Sequence, residues 1–384
     1  MTRRELRLTL SRITAVLLEE DHTGVAYEAV QEYIQLLSSV IHFDTQGGIH
    51  QPPSLFTAFG KALSPLEAAR CIPDYIRTQK FIKGLYLAVK AALHRFPDRP
   101  VHLLYAGTGP YATLALPLTV LFSPEELQMT LLEIYPESFQ ALQTTIDAFG
   151  IRPFVRNAEM VDATTYCPAE PVHVLVTETM NQGLGKEPQV AITQHLASFL
   201  VPSGILVPAS VKVVAGVMTP SMGSDLKLSE EANPAKERSE DIALLMELDQ
   251  TAPARFQNGF PVTTVSITPA LANKYSSLFL FTRIHVFGSE YITDGQSILT
   301  LPLLITHLPL TSENNIDFEF TYEATEPPGF RWTSTIEKRS AGYQFDPRNK
   351  QNHLDEKSRL QMIEHLRAMG TATALQLITD LEQE

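Results

Sequence analysis

Basic charge is in short supply in this sequence. With 30 Lys and Arg against 43 Asp and Glu over 384 residues, the formal net charge is −13. That excludes a general nucleic-acid binder, because a phosphate backbone rewards basic faces, and it suits a cationic substrate. Cysteine is scarcer still: only Cys71 and Cys167 occur, with no CxxC spacing. A disulfide framework and a cysteine-rich zinc site are thereby excluded, and a reducing compartment is expected. No apolar run reaches 18 residues; LALPLTVLF (114–122) is short and broken by Pro117, so no membrane span is expected. The first residues, MTRRELRLTLSRI, alternate charged and apolar side chains without an apolar core segment. No secretory signal is therefore expected, and the cytoplasm is the expected location. The 11 His are scattered without HExxH spacing, so no metal site is expected. A G-x-S-x-G elbow and a GxxxxGK[ST] loop are both missing, which removes two common catalytic schemes.

What is present is a globular pattern, 44% apolar, long enough for two or three domains. Residues 1–98 read as a helical region. Val30, Ile34, Leu37 and Ile41 recur at helical spacing, and a helix over about 74–96 turns Ile76, Phe81, Leu85, Val89 and Leu93 inward. Over 99–208 the chain alternates apolar runs of strand length (VHLLYA, MTLLEI, PFVRN, VHVLVTE) with amphipathic segments such as 184–200. Strands alternating with helices give an α/β fold around a parallel sheet covered on both faces. Residues 209–384 read as a β-rich, barrel-like domain. It carries a charged helical arm at about 221–255, for which a dimer contact and a surface insertion are both open readings. A final helix is expected over about 355–383.

Three stretches carry chemistry. In LLYAGTGPYATLAL (103–116), small residues at Gly107 and Gly109 would let backbone approach a ligand at the start of a following helix; a tight structural turn is the alternative. The next strand ends in Glu133, 24 residues after Gly109. An acid at that place can accept both hydroxyls of a ribose, or be only an exposed strand-end carboxylate. Glycine turn and acid together favour an adenosine-containing ligand. In TETMNQGLGKE (177–187), Glu178 and Glu187 lie nine positions apart across a polar turn. They form a berth for a cation, or a solvated acidic loop.

With these residues in place, residues 74–210 resemble a class I S-adenosylmethionine-dependent methyltransferase, and within that class the protein arginine methyltransferases. Asp74-Tyr75-Ile76-Arg77-Thr78 followed by Phe81 resembles the family's D-x-x-R-T-x-x-Y helix, AGTG its glycine motif, and Glu178 and Glu187 its double-glutamate loop with Met180 two residues after the first acid. The resemblance implies a Rossmann-like methyltransferase sheet and S-adenosyl-L-methionine as cofactor. Arg77 would hold the methionyl carboxylate, Glu133 the ribose and Glu159 the adenine. Glu178 and Glu187 would be catalytic, with Phe81 and Met180 on the acceptor side, and a homodimer built through the arm is an expectation. The chain departs from the family at Leu103, where Asp is usual, at Tyr105, where the first motif glycine is usual, and at Lys186 before the second acid; a Thr-His-Trp loop is not found.

The expected function is methyl transfer to a guanidino or amine nitrogen of a small-molecule or peptide acceptor. A guanidinium has no free lone pair; two carboxylates gripping it localise its charge and leave one nitrogen more nucleophilic. The alternatives are a biosynthetic small-molecule N- or C-methyltransferase and a non-catalytic scaffold of methyltransferase type.

Overall fold

The computed structural model describes residues 1–19, 23–41, 43, 54–97, 99–219, 239–309 and 313–335. The chain begins with two packed helices, α1 (Arg3–Glu19) and α2 (Thr23–Ser38). Leu6, Leu10, Ile13 and Leu17 of α1 recur at three- and four-residue spacing and are buried, as that period requires. A hairpin of β1 (Leu55–Thr57) and β2 (Gly60–Ala62) follows, then a short helix α3 (Pro65–Ala69). The helix α3 opens with a reciprocal capping box between Ser64 and Glu67. The hairpin interrupts a region expected to be mostly helical. Too few residues form it to leave a periodic signature.

The long helix α4 (Tyr75–Arg95) runs through the centre of the molecule. Asp74 caps it through a bond from the Arg77 amide, and the same carboxylate accepts from Ser297 Oγ at 2.6 Å and the Ile298 amide at 2.9 Å. One side chain thus starts the helix and ties it to the C-terminal half. Halfway along, a Cβ on Gly84 would meet Val286 Cγ1 at 2.5 Å, so glycine lets α4 cross the sheet behind it in close contact.

The central sheet has five parallel strands: β3 (Val101–Ala106), β4 (Leu127–Glu133), β5 (Val155–Met160), β6 (Val172–Thr177) and β7 (Leu200–Val207), in the order β5-β4-β3-β6-β7. Every residue of β3 and β6 is buried, the mark of strands covered on both faces. Helices α5 (Pro136–Phe149) and α6 (Gln189–Leu196) supply the cover between successive strands. Strand order reverses between β3 and β6, and a crevice forms at the carboxyl ends of strands where this happens. The helix expected directly after the glycine turn is not there. Pro110, Pro117 and the left-handed Ala112 (φ 46°) leave only turns and a 3-10 segment, Leu116–Val120.

The C-terminal half is antiparallel: β8 (Ser210–Met218), β9 (Ser239–Asp249), β10 (Thr263–Ile267), β11 (Ser277–Phe287), β12 (Glu290–Ile292), β13 (Leu303–His307), β14 (Ile316–Glu323) and β15 (Gly329–Ser334). One sheet runs β12-β11-β8-β9 with β13 also on β11; the other runs β10-β14-β15. The expected helical arm at 221–255 needs correction where it is described, since Ser239–Asp249 is a strand paired with β8. Two register shifts opposite Val213/Val214 and Ala215/Gly216 break the two-residue alternation that would have marked it. Residues 220–238 and the helix expected at 355–383 lie outside the described residues.

Candidate active site

A single cleft at the carboxyl ends of β3, β4 and β6 gathers six of the nine expected site residues: Arg77, Gly107, Gly109, Glu133, Glu178 and Glu187. They come from four separated parts of the chain. The first turn of α4 brings Arg77, and the turn after β3 brings the glycines. The end of β4 brings Glu133, and the loop after β6 brings the acid pair.

On one side the glycine turn is left-handed at Gly107 (φ 75°) and Gly109 (φ 60°). A Cβ on Gly107 would lie 2.3 Å from Thr179 Cγ2, so the turn nests against the start of the acid loop. Glu133 is 6% exposed, and each of its oxygens accepts a main-chain amide, Gly109 N and Tyr135 N, both at 2.8 Å. Burial pushes its carboxyl up to about 7, with the two amides acting against the rise. Ser138 Oγ, also lining the cleft, is buried with no hydrogen-bond partner.

On the other side Arg77 and Glu178 form a buried ion pair. Burial works against the Arg77 charge, but Glu178, Cys71 and Asp74 together hold the guanidinium well above its ordinary value. Burial raises the Glu178 carboxyl, and Arg77 offsets part of that. Among the described residues only Oε2 of Glu178 is used, and Oε1 is buried without a partner. Burial and then the Glu178 charge push Glu187 up to about 7. Two acids thus face a space in which one guanidinium already stands.

The acid loop is held from several directions. Gln189, 1% exposed, accepts from the Thr179 amide at 2.9 Å. The Gly183 amide donates to Thr282 Oγ1 at 2.8 Å, and Tyr322 Oη donates to the Leu184 carbonyl at 2.7 Å. Left-handed residues at Gly183, Leu184 and Lys186 fold the nine-residue span into a compact turn that returns Glu187 toward Glu178.

Three expected residues lie elsewhere. Phe81 is 0% exposed and Met180 2%, both inside the main hydrophobic core, so neither can touch an acceptor. Their neighbourhood in sequence to Arg77 and Glu178 does not survive the turn of the helix and of the loop. Glu159 sits on β5, where its carboxylate accepts from Tyr166 Oη at 3.1 Å; Val161, Asp162 and Ala163 line the cleft instead. His285 and His307 are hydrogen-bonded to Gly288 O and Ser277 Oγ, and neither lines the cleft. Lys61, Cys71 and Tyr105 do line it, and Asp74 and Gln189 support it, though the sequence reading gave none of them a role in the site. Asp74 and Tyr105 stood inside the motifs; Lys61, Cys71 and Gln189 carried no signal of their own.

The two acids raised to about 7 set a pH dependence. Folded protein holds these protons more tightly than unfolded chain does, where the ordinary value is 4.5. Their contribution is fully present below about pH 4.5 and is lost as pH rises through about 7. For Glu133 this is on the order of 3 kcal/mol. Glu67 and Asp249, lowered instead, act below this window. His173, which burial lowers to about 4, and His102, also lowered by burial, add stability as pH rises to about 6.5 and oppose the fall there. The melting temperature of the ligand-free protein should therefore fall most clearly between pH 6.5 and 8, and Glu133→Gln should flatten that fall. A rise across that range would contradict the burial of both acids.

No protein-family model matches the sequence, and no curated protein matches it. Among solved structures, Arabidopsis thaliana protein arginine methyltransferase 10 is similar at 12% identity and a TM-score of 0.48, over 70% of this chain and 96% of that one. The Trypanosoma brucei PRMT1 enzyme-prozyme heterotetrameric complex with AdoHcy is similar at 10% identity and a TM-score of 0.45, over 67% of this chain and 87% of that one.

Proposed function

We propose that the chain is an S-adenosylmethionine-dependent methyltransferase acting on a guanidino or amine nitrogen. The observation that carries this reading is Glu178 Oε1, a buried acceptor without a partner, in the same cleft as Glu187, the glycine turn and Glu133. A buried carboxylate oxygen left unsatisfied costs stability, and a cation bearing N–H groups would relieve that cost.

The residues present fit such a donor. Gly107 and Gly109 put no side chain in its way, Glu133 keeps lone pairs for ribose hydroxyls, and Ser138 offers an unused hydroxyl. Arg77 has N–H groups beyond those spent on Glu178 and would hold a carboxylate. When bound, the donor would supply a methyl carbon on a sulfonium, the new nitrogen–carbon bond replacing the carbon–sulfur bond with one N–H proton lost from the acceptor. Glu178 and Glu187 hold the acceptor cation and fix its plane. Glu187, poised at about 7, takes the proton on a carboxylate oxygen. Arg77 and residues within 99–208 carry the donor side of this scheme, and the β14–β15 turn braces the acid loop on the acceptor side.

A specific observation favours a second reading, a non-catalytic scaffold. Tyr105 lines the cleft where a small residue would leave more room. Calorimetric titration with S-adenosylhomocysteine separates the two. One binding site per chain supports the enzyme, and absence of heat supports the scaffold.

A further inference from the structure

The flank of the cleft beside Glu187 is closed by backbone. The Lys61 amide donates to the Lys186 carbonyl at 2.7 Å, the Lys186 amide to the Pro328 carbonyl at 3.1 Å, and the Glu326 amide to the Ala58 carbonyl at 2.9 Å. The β1–β2 hairpin, the acid loop and the β14–β15 turn are thereby joined into one circuit. The packing leaves no slack. A Cβ on Gly60 would sit 2.7 Å from the Lys186 carbonyl oxygen, and one on Gly329 would sit 3.6 Å from Gly185 Cα. Gly60 (φ 140°) and Gly329 (φ 146°) hold backbone conformations that other residues rarely adopt. These contacts fix the hairpin, and with it Lys61, against the acid loop.

The same hairpin places a cation in the cleft. Lys61 lines it, and Lys61 Nζ gives one hydrogen bond, to Glu67 Oε1 at 2.6 Å. Glu67 is itself pinned, its other oxygen accepting from Ser54 Oγ and the Ser64 amide, each at 2.9 Å. The ammonium is therefore oriented by a fixed carboxylate and has two further N–H groups to give. Its charge helps keep Glu187 ionised. A cleft offering two acids to a cation and, on the hairpin packed against the acid loop, an ammonium with unspent donors is complementary to a compact molecule carrying both charges.

We propose that the acceptor is a compact free metabolite, amino-acid-like, with a guanidino or amino group held by Glu178 and Glu187 and a carboxylate held by Lys61. This rests on the methyltransferase reading and narrows it to an acceptor whose own carboxylate is free to meet Lys61. The transfer is the one already written, a nitrogen–carbon bond formed at the expense of the carbon–sulfur bond with one proton lost from nitrogen.

The test offers the full chain methyl-labelled S-adenosylmethionine with free arginine, with agmatine (the same cation without the carboxylate), or with a peptide carrying one internal arginine. S-adenosylhomocysteine binding is measured on the same preparation. Expected are turnover of arginine and, for agmatine and for the peptide, which both lack the free carboxylate, a KM about 10- to 100-fold higher, the scale of one charged hydrogen bond. Lys61→Met should raise the arginine KM to the agmatine value while leaving the agmatine KM and donor affinity unchanged, and Lys61→Arg should restore much of the loss. Labelling of the peptide as fast as arginine, equal effects of Lys61→Met on arginine and agmatine, or binding of the donor product with no acceptor labelled would each overturn the proposal. Failure to bind the donor product at all would instead overturn the methyltransferase reading beneath it.

Discussion

Glu178→Gln should cut turnover by roughly a hundredfold to a thousandfold, the scale of removing one preorganised electrostatic partner from a buried site. It should do so with little change in donor affinity. Glutamine keeps the shape and keeps an oxygen for Arg77, so the first turn of α4 and the ion-pair geometry are preserved as far as chemistry allows. What disappears is the charge that draws a cation to the partnerless oxygen. The measurement is kcat with saturating donor, set beside the calorimetric affinity for S-adenosylhomocysteine. Equal loss of both would mean that Glu178 serves only to brace Arg77.

Phe81→Ala should destabilise the fold by about 3–5 kcal/mol, as expected when a large buried ring leaves a cavity. Phe81 is fully buried in the main core, one helical turn beyond Arg77. Denaturant unfolding would read the loss. At a temperature where the variant is folded, acceptor KM should match that of the unaltered protein. A raised KM with unchanged stability would return Phe81 to the acceptor site from which its burial removes it.

Both results bear on what the sequence could reveal. The parallel sheet was legible because β3 and β6 are uniformly apolar, and only a strand covered on both faces is written that way. Gly107, Gly109 and Glu133 were legible as a group because a strand, a turn and a strand-end acid keep a fixed separation when the strands are adjacent. Strand β9 was not legible, since bulges opposite β8 place Leu245 and Met246 inward in succession and mimic a helix face. The hairpin at 55–62 was hidden by its brevity, and with it Lys61. Its position depends on bonds to residues more than a hundred positions away, at Lys186 and Glu326. Phe81 and Met180 failed for a related reason. A motif marks which residues travel together in sequence, while helix and loop geometry decide which of them face the cleft.

The account stands on the cleft at the ends of β3, β4 and β6 being a donor site. Titration of the full chain with S-adenosylhomocysteine in a calorimeter tests that most directly. The account predicts saturable heat with one site per chain, strongly weakened in Glu133→Ala and nearly unchanged in Glu178→Gln. No heat from the unaltered protein, or equal binding in Glu133→Ala, would contradict it.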